Sequence, residues 1–169
     1  MKSITYNDII VEGIYNDFVT LTKKYIGDLS EETYSFFDIY EFKLRNSKNQ
    51  TIIVTFECFY YDNLSKKRWW NIALNIVNKR KSGFQCLKQT GTAGIESLIN
   101  SKKIIKHFIN NFYEYVRDSS AEDRLFIWWD DSRRRDVYLK YLSDIGFVET
   151  NVNAKDWKSG KCISKLIKK

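Results

Sequence analysis

The chain has 169 residues, a net charge of +7, a hydrophobic fraction of 43% and an aromatic fraction of 16%. Those values fit one folded domain, read as a single unit over residues 1–169, and exclude a disordered chain. No apolar run is long enough to span a membrane, and MKSITYNDII lacks the basic-then-apolar layout of a signal peptide, so the expectation is a soluble, cytoplasmic protein with no membrane partner.

In chain order, Ile10, Val11, Ile14, Phe18, Leu21 and Tyr25 recur at intervals of three and four, which predicts an amphipathic helix over 8–26 closed by Gly27. A short second helix is expected after Ser30, with Glu31 and Glu32 at its amino end. Two β-rich runs over 38–62 flank the polar stretch NSKNQ and predict an antiparallel hairpin. RWWNIALNIVN (68–78) reads as a third strand, and FQCLKQTGTAG as a short strand followed by a loop.

From Gly94 to Val116 the pattern is helical, with Ile95, Leu98, Ile99, Ile105, Ile109, Phe112 and Val116 as one stripe. RLFIWWD (124–130) is nearly all apolar, as a strand buried on both faces would be. SRRRDVYLKYLSDIGF follows as a helix capped by Asp131 or Ser132. Val137, Tyr141, Leu142 and Ile145 are its expected core side, and Gly146 its left-handed stop. Two last strands fall near 147–152 and 160–167. The fold class is α/β, with a mixed, mostly antiparallel central sheet flanked by helices.

Cys58, Cys86 and Cys162 are odd in number, far apart and in apolar contexts, so they read as reduced core thiols. His107 is the single histidine, and no Cys-X-X-Cys pair exists, which gives neither metal site nor Ser or Cys triad any support. Proline is absent, and Lys, Ile and Asn are abundant, the bias of an AT-rich genome such as low-GC bacteria and their phages have. The positive charge fits an anionic partner of any of three kinds: nucleic acid, acidic protein or a phosphorylated cofactor.

Two segments at their spacing, within residues 84–167, resemble the GNAT superfamily of acyl-CoA-dependent N-acetyltransferases. The first is Lys88-Gln89-Thr90-Gly91-Thr92-Ala93. It stands where the family has Gln/Arg-X-X-Gly-X-Gly/Ala before a long helix, with Lys88 in the Gln/Arg place. Small residues ahead of a helix amino end let phosphates reach unpaired N–H groups. The second is DDSRRRDVYLKYLSDIGF, similar to the family's strand end, helix and Gly-Phe close. Its arginine-rich form resembles divergent phage-encoded GNAT-like proteins.

The resemblance implies a GNAT-like fold and acetyl-CoA as cofactor. It places Gln85, Cys86 and Leu87 beside the pantetheine arm, Lys88, Gly91, Thr92, Ala93 and Gly94 at the pyrophosphate, and Ser132 at the start of the helix that packs on the cofactor. The family's acid is often a tyrosine four residues before the glycine. Here that position is Leu142, with Tyr141 and Tyr138 nearest. Glu57, inside the apolar run TIIVTFECFYY, is the general base expected from its setting. Asp130 and Asp131 are further acids at a strand end, with helix capping as their other role.

Three readings stay open. One is acetyl transfer from acetyl-CoA to an amine. Another is a catalytically inactive GNAT-like module that joins protein partners in an assembly, such as a phage virion. The third is nucleic-acid binding, from the basic and aromatic mixture of KKRWW and RRR.

Overall fold

The computed structural model describes residues 3–5, 20–27, 36–62, 64–77, 84–86, 94–116, 122–129, 132–152 and 160–167. Its strands are β1 (Ser3–Thr5), β2 (Thr20–Gly27), β3 (Phe36–Arg45), β4 (Thr51–Asp62), β5 (Lys67–Val77), β6 (Phe84–Cys86), β7 (Glu122–Trp128), β8 (Val148–Val152) and β9 (Gly160–Ile167). The helices are α1 (Gly94–Asn110), the single turn α2 (Phe112–Tyr115) and α3 (Ser132–Leu142), which runs into a 3-10 turn over Ser143–Ile145.

Among the described residues the sheet order is β1-β2-β3-β4-β5-β7-β9-β8, with β6 also on β5. Neighbours are antiparallel except β5 and β7. The expected class, α/β with a mixed and mostly antiparallel sheet, is the class observed. The parallel pair needs a crossover, and α1 supplies it.

The β3–β4 hairpin forms as predicted, because its turn chemistry is complete within NSKNQ. Asn46 accepts the N–H groups of Lys48 and Gln50 on its side-chain oxygen, at 3.0 and 2.9 Å. Asn49 takes a left-handed φ of 57°, which asparagine tolerates. Alternation then sends Tyr40, Phe42, Leu44, Ile52, Val54, Phe56, Trp70 and Ile76 to one face, all nearly fully buried. That face packs on α1, where the rings of Phe56 and Phe108 stack with centroids 3.8 Å apart. Each such side chain contributes about 1.5–3 kcal/mol of burial. β7 is buried on both sides as expected: Leu125 and Ile127 join the main core, and Phe126 joins a second cluster with Val152 and Cys162.

The predicted helix over 8–26 is corrected in its last third. Residues 20–27 form β2, paired with β3 from Leu21↔Phe42 to Gly27↔Phe36, so Gly27 ends a strand rather than a helix. Leu21 and Tyr25 are four apart, an even spacing that one face of a strand satisfies as well as one face of a helix. Residues 8–19 and the helix expected after Ser30 lie outside the described residues.

Three helical details also change. The long helix breaks at Asn111, whose Nδ2 donates to the His107 carbonyl at 2.9 Å and competes with the backbone ladder. The buried face of α1 carries Ser97, Ser101, Ile104 and Phe108, so Ile95 and Ile99 lie elsewhere on the helix, 62% and 41% exposed. On α3 the core positions are Tyr138 and Leu142, while Val137 is exposed. Gly146 stops the helix as predicted, with φ of 90° and its N–H bonded to the Ser143 carbonyl at 2.9 Å. Both α1 and α3 pack on the same face of the sheet.

Candidate functional site

One ladder in the sheet is interrupted. β5 and β7 pair in parallel only from Lys67–Asn71 to Glu122–Phe126. Beyond Asn71 the same edge of β5 passes to β6, which pairs antiparallel over Asn75–Val77. Between the two, Ile72, Ala73 and Leu74 have no ladder partner on that edge among the described residues. Such an edge presents backbone N–H and C=O groups that seek partners.

The gap lies at the carboxyl ends of the parallel strands, where α/β sheets form their ligand crevice. Each strand leads towards a helix whose first residue is described: Gly94 for α1 and Ser132 for α3. Helix amino ends carry unsatisfied N–H groups and a partial positive charge, the setting an anion requires.

The closed half of the seam is held by a buried ion pair. Asp123 is fully buried and accepts Nε and Nη2 of Arg68 at 2.7 and 2.8 Å, and Nε1 of Trp70 at 2.9 Å. Asp123 is in register with Arg68, and Trp70 stands two residues further along β5, so the three groups fix how β7 sits on β5. KKRWW is therefore a core element in its second half: Arg68 and Trp70 point inward, and Lys66 and Lys67 are exposed. Trp69 turns to the opposite face, where its ring lies 5.4 Å from that of Phe126, which stacks on Trp128 at 6.0 Å. The two tryptophans of the first pair thus face opposite sides.

Glu57 stands on that second face, half-buried, between Ile39 of β3 and Asn71 of β5. Asn71 is the last β5 residue paired with β7, so Glu57 is one strand from the point where the seam opens. The tyrosines are on the other side of the sheet. Tyr138 is 6% exposed within the main core. Tyr141 packs half-buried against that core, with the Lys140 ammonium 5.8 Å from its ring centroid. The expected base and acids do not share a face, because α3 packs on the main-core face whereas strand alternation turns Glu57 to the other.

Gln85 and Cys86 lie in β6, in register with Ile76 and Asn75. Leu87, Lys88, Gly91, Thr92 and Ala93, with Asp130 and Asp131, lie outside the described residues. Gly94 and Ser132 are the first residues of α1 and α3. In the arginine run, Arg135 donates to Asp136 at 2.8 Å on the surface.

His107 is buried in the last turn of α1, and its Nε2 lies 2.8 Å from the Tyr115 hydroxyl. Its Nδ1 faces Asn111 Nδ2 at 3.1 Å, so Nδ1 accepts and Nε2 carries the proton. Burial holds the imidazole below its ordinary pKa. Cys58 and Cys162 are buried and form no disulfide, and burial pushes the Cys162 thiol up to about 12; Cys86 has only its backbone described.

Sequence reasoning missed the Arg68–Asp123–Trp70 group. An acid abutting the continuous apolar run of β7 was its available signal. No helix among the described residues is long and apolar enough to cross a membrane. Compared with known proteins, the chain matches no protein-family model, no curated protein and no solved structure.

Proposed function

We propose that the chain is an acyltransferase that moves an acetyl group from acetyl-CoA to an amine at the β5/β7 crevice. The observation that carries this reading is the parallel pair that parts after Asn71, with two helix amino ends placed after its strands. The cofactor supplies an acyl group already activated as a thioester. The edge of β5 at Ile72–Leu74, without a ladder partner among the described residues, offers backbone groups to an amide-bearing arm and an N–H to the acyl oxygen. The start of α1, with Lys88 and Gly91 just before it in sequence, offers N–H groups and charge to phosphates.

Glu57 takes the proton of the attacking amine, directly or through one water, and Asn71 beside it orients that amine. The acetyl carbon gains its bond to nitrogen, loses its bond to sulfur, and the departing thiolate is protonated from solvent.

A second reading, a non-catalytic module that serves a protein assembly, is favoured by one observation. Tyr138 is buried in the core, and Glu57 lies on the opposite face from both tyrosines. Calorimetry of the full chain with acetyl-CoA, followed by thiol release over a panel of amines, separates the two. Binding lost in Gly91→Glu, with thiol release in the wild type, supports the enzyme. Binding without release on any amine supports the module. No binding at millimolar acetyl-CoA removes the enzyme reading.

A further inference from the structure

The face of the sheet opposite α1 and α3 combines one acid with an aromatic wall. Strand alternation places Glu57 and Phe59 of β4, Trp69, Asn71 and Ala73 of β5, and Phe126 of β7 on this face. From β3 to β9 the row across the sheet is Ile39, Glu57, Asn71, Phe126 and Ser164, and Glu57 is its one charged residue. Lys24 of β2 continues the row, two strands from Glu57.

Glu57 is half-buried and makes no hydrogen bond or ion pair with any described residue, and neither does Asn71 beside it. The other charges on this face are engaged or distant. Glu41 pairs with Lys43 at 2.9 Å. Arg124, in register with Trp69, donates to Ser164 at 3.3 Å and stands 4.0 Å from Glu122. Lys67 is four residues from Asn71, about 13 Å along β5.

Along the strands, the Glu57–Asn71 pair has unlike neighbours on its two sides. On one side stand Thr55 and Ala73, where β5 parts from β7 and the side chain on β5 is only a methyl. On the other stand Phe59 and Trp69, their ring centroids 6.3 Å apart. Each packs on Phe126, at 6.0 and 5.4 Å. Phe126 is 1% exposed, whereas Phe59 and Trp69 are only half-buried, so those two rings form the outer wall that a ligand meets.

We propose that this face binds an amine carrying an aromatic ring, and that this amine is the acetyl acceptor. Its role as acceptor rests on the acetyl-transfer reading; its binding does not. The ammonium meets the Glu57 carboxylate and the Asn71 carboxamide oxygen. The ring lies on Phe59 and Trp69, about 6–7 Å along the strands, a reach that a short linker spans. Charge complementarity with Glu57 selects the amine, and the aromatic wall selects a ring over an alkyl chain. Held this way, the ligand leaves the Ala73 side of the row, and the seam beyond it, to the acyl group.

The probe is phenylethylamine, titrated without acetyl-CoA into the full chain labelled with fluorotryptophan and followed by fluorine NMR. Saturable binding is expected, with the Trp69 signal shifted and that of Trp70, fully buried in the main core, unmoved. Hexylamine, with the same charge and no ring, binds at least about threefold more weakly. Phenylpropionate, with the ring and the opposite charge, does not saturate. Glu57→Gln weakens phenylethylamine about tenfold, with the Trp70 signal reporting an intact core. Equal binding of the three compounds, an unmoved Trp69 signal, or indifference to Glu57→Gln overturns the proposal. Thiol release from acetyl-CoA is then read on both amines. Release on hexylamine without binding of phenylethylamine overturns the proposal and leaves acetyl transfer standing. Phenylethylamine binding at Trp69 with no release on any amine upholds the site and removes the transfer reading.

Discussion

Replacing Asp123 by Asn tests whether the seam between β5 and β7 depends on its buried charge. The substitution keeps the size and one acceptor, so Arg68 Nε and Trp70 Nε1 retain an oxygen. It turns the other oxygen into an NH2 group that faces Arg68 Nη2, donor against donor, across 2.8 Å. Arg68, 7% exposed, loses the carboxylate charge it faces. Breaking a pair of this kind costs about 3–5 kcal/mol. For a chain of this length that lowers Tm by about 6–20 °C. Urea unfolding followed by circular dichroism gives the free energy, and hydrogen exchange reports whether β7 loses protection first. The double variant Arg68→Met with Asp123→Leu removes both charges and is expected to be more stable than Asp123→Asn, despite the orphaned Trp70 N–H. A loss below about 1 kcal/mol in Asp123→Asn, the value of a surface pair, refutes the reasoning.

Three further outcomes are expected. Because burial depresses the His107 pKa, the folded chain binds fewer protons there than the unfolded one below the ordinary value of about 6.5. That contribution is fully present above the ordinary value and is lost as pH falls towards the folded value. A plot of Tm against pH should show the loss, and His107→Gln should flatten it. Gly146→Ala forces a side chain onto a φ of 90° and places its Cβ 2.7 Å from Lys165 Nζ. The amine can swing away, so the backbone sets the cost, about 1–2 kcal/mol, read from the urea midpoint. If acetyl transfer occurs, Glu57→Gln lowers kcat/KM by about 10²–10⁴ with stability unchanged, and activity at high pH recovers part of the loss as the amine deprotonates unaided. An unchanged rate removes Glu57 from the mechanism.

The strands were the most legible part of the chain. β3, β4 and β5 alternate cleanly and are punctuated by NSKNQ, so their ends fall within about two residues of the expectation. β7 announced itself by apolar continuity. What escaped notice depends on rotation or on partners far along the chain. Ile95 and Ile99 have helical spacing, but the serines at 97 and 101 permit close approach to the sheet and turn both isoleucines away from it. The break at Asn111 is invisible to hydrophobic periodicity, which continues through Phe112 and Val116. Arg68 and Asp123 are 55 residues apart, and only the parallel register brings them together. Of the candidate site, Glu57 and the two helix starts were legible, whereas the side of the sheet to which Tyr138 and Tyr141 belong was not.

The five-residue ladder between β5 and β7 also bears on how the chain folds. β2 to β5 form a meander in which every strand pairs with its neighbour in sequence, so its loops are short and cheap to close. β9 and β8 form a second hairpin on β7. The two halves meet only when the α1 crossover brings residue 122 back to residue 67, a closure of more than 50 residues. Contacts of that separation form late and slowly. The seam that opens into the crevice is thus the step expected to limit folding, and substitutions at Arg68 or Asp123 should slow folding and not only speed unfolding.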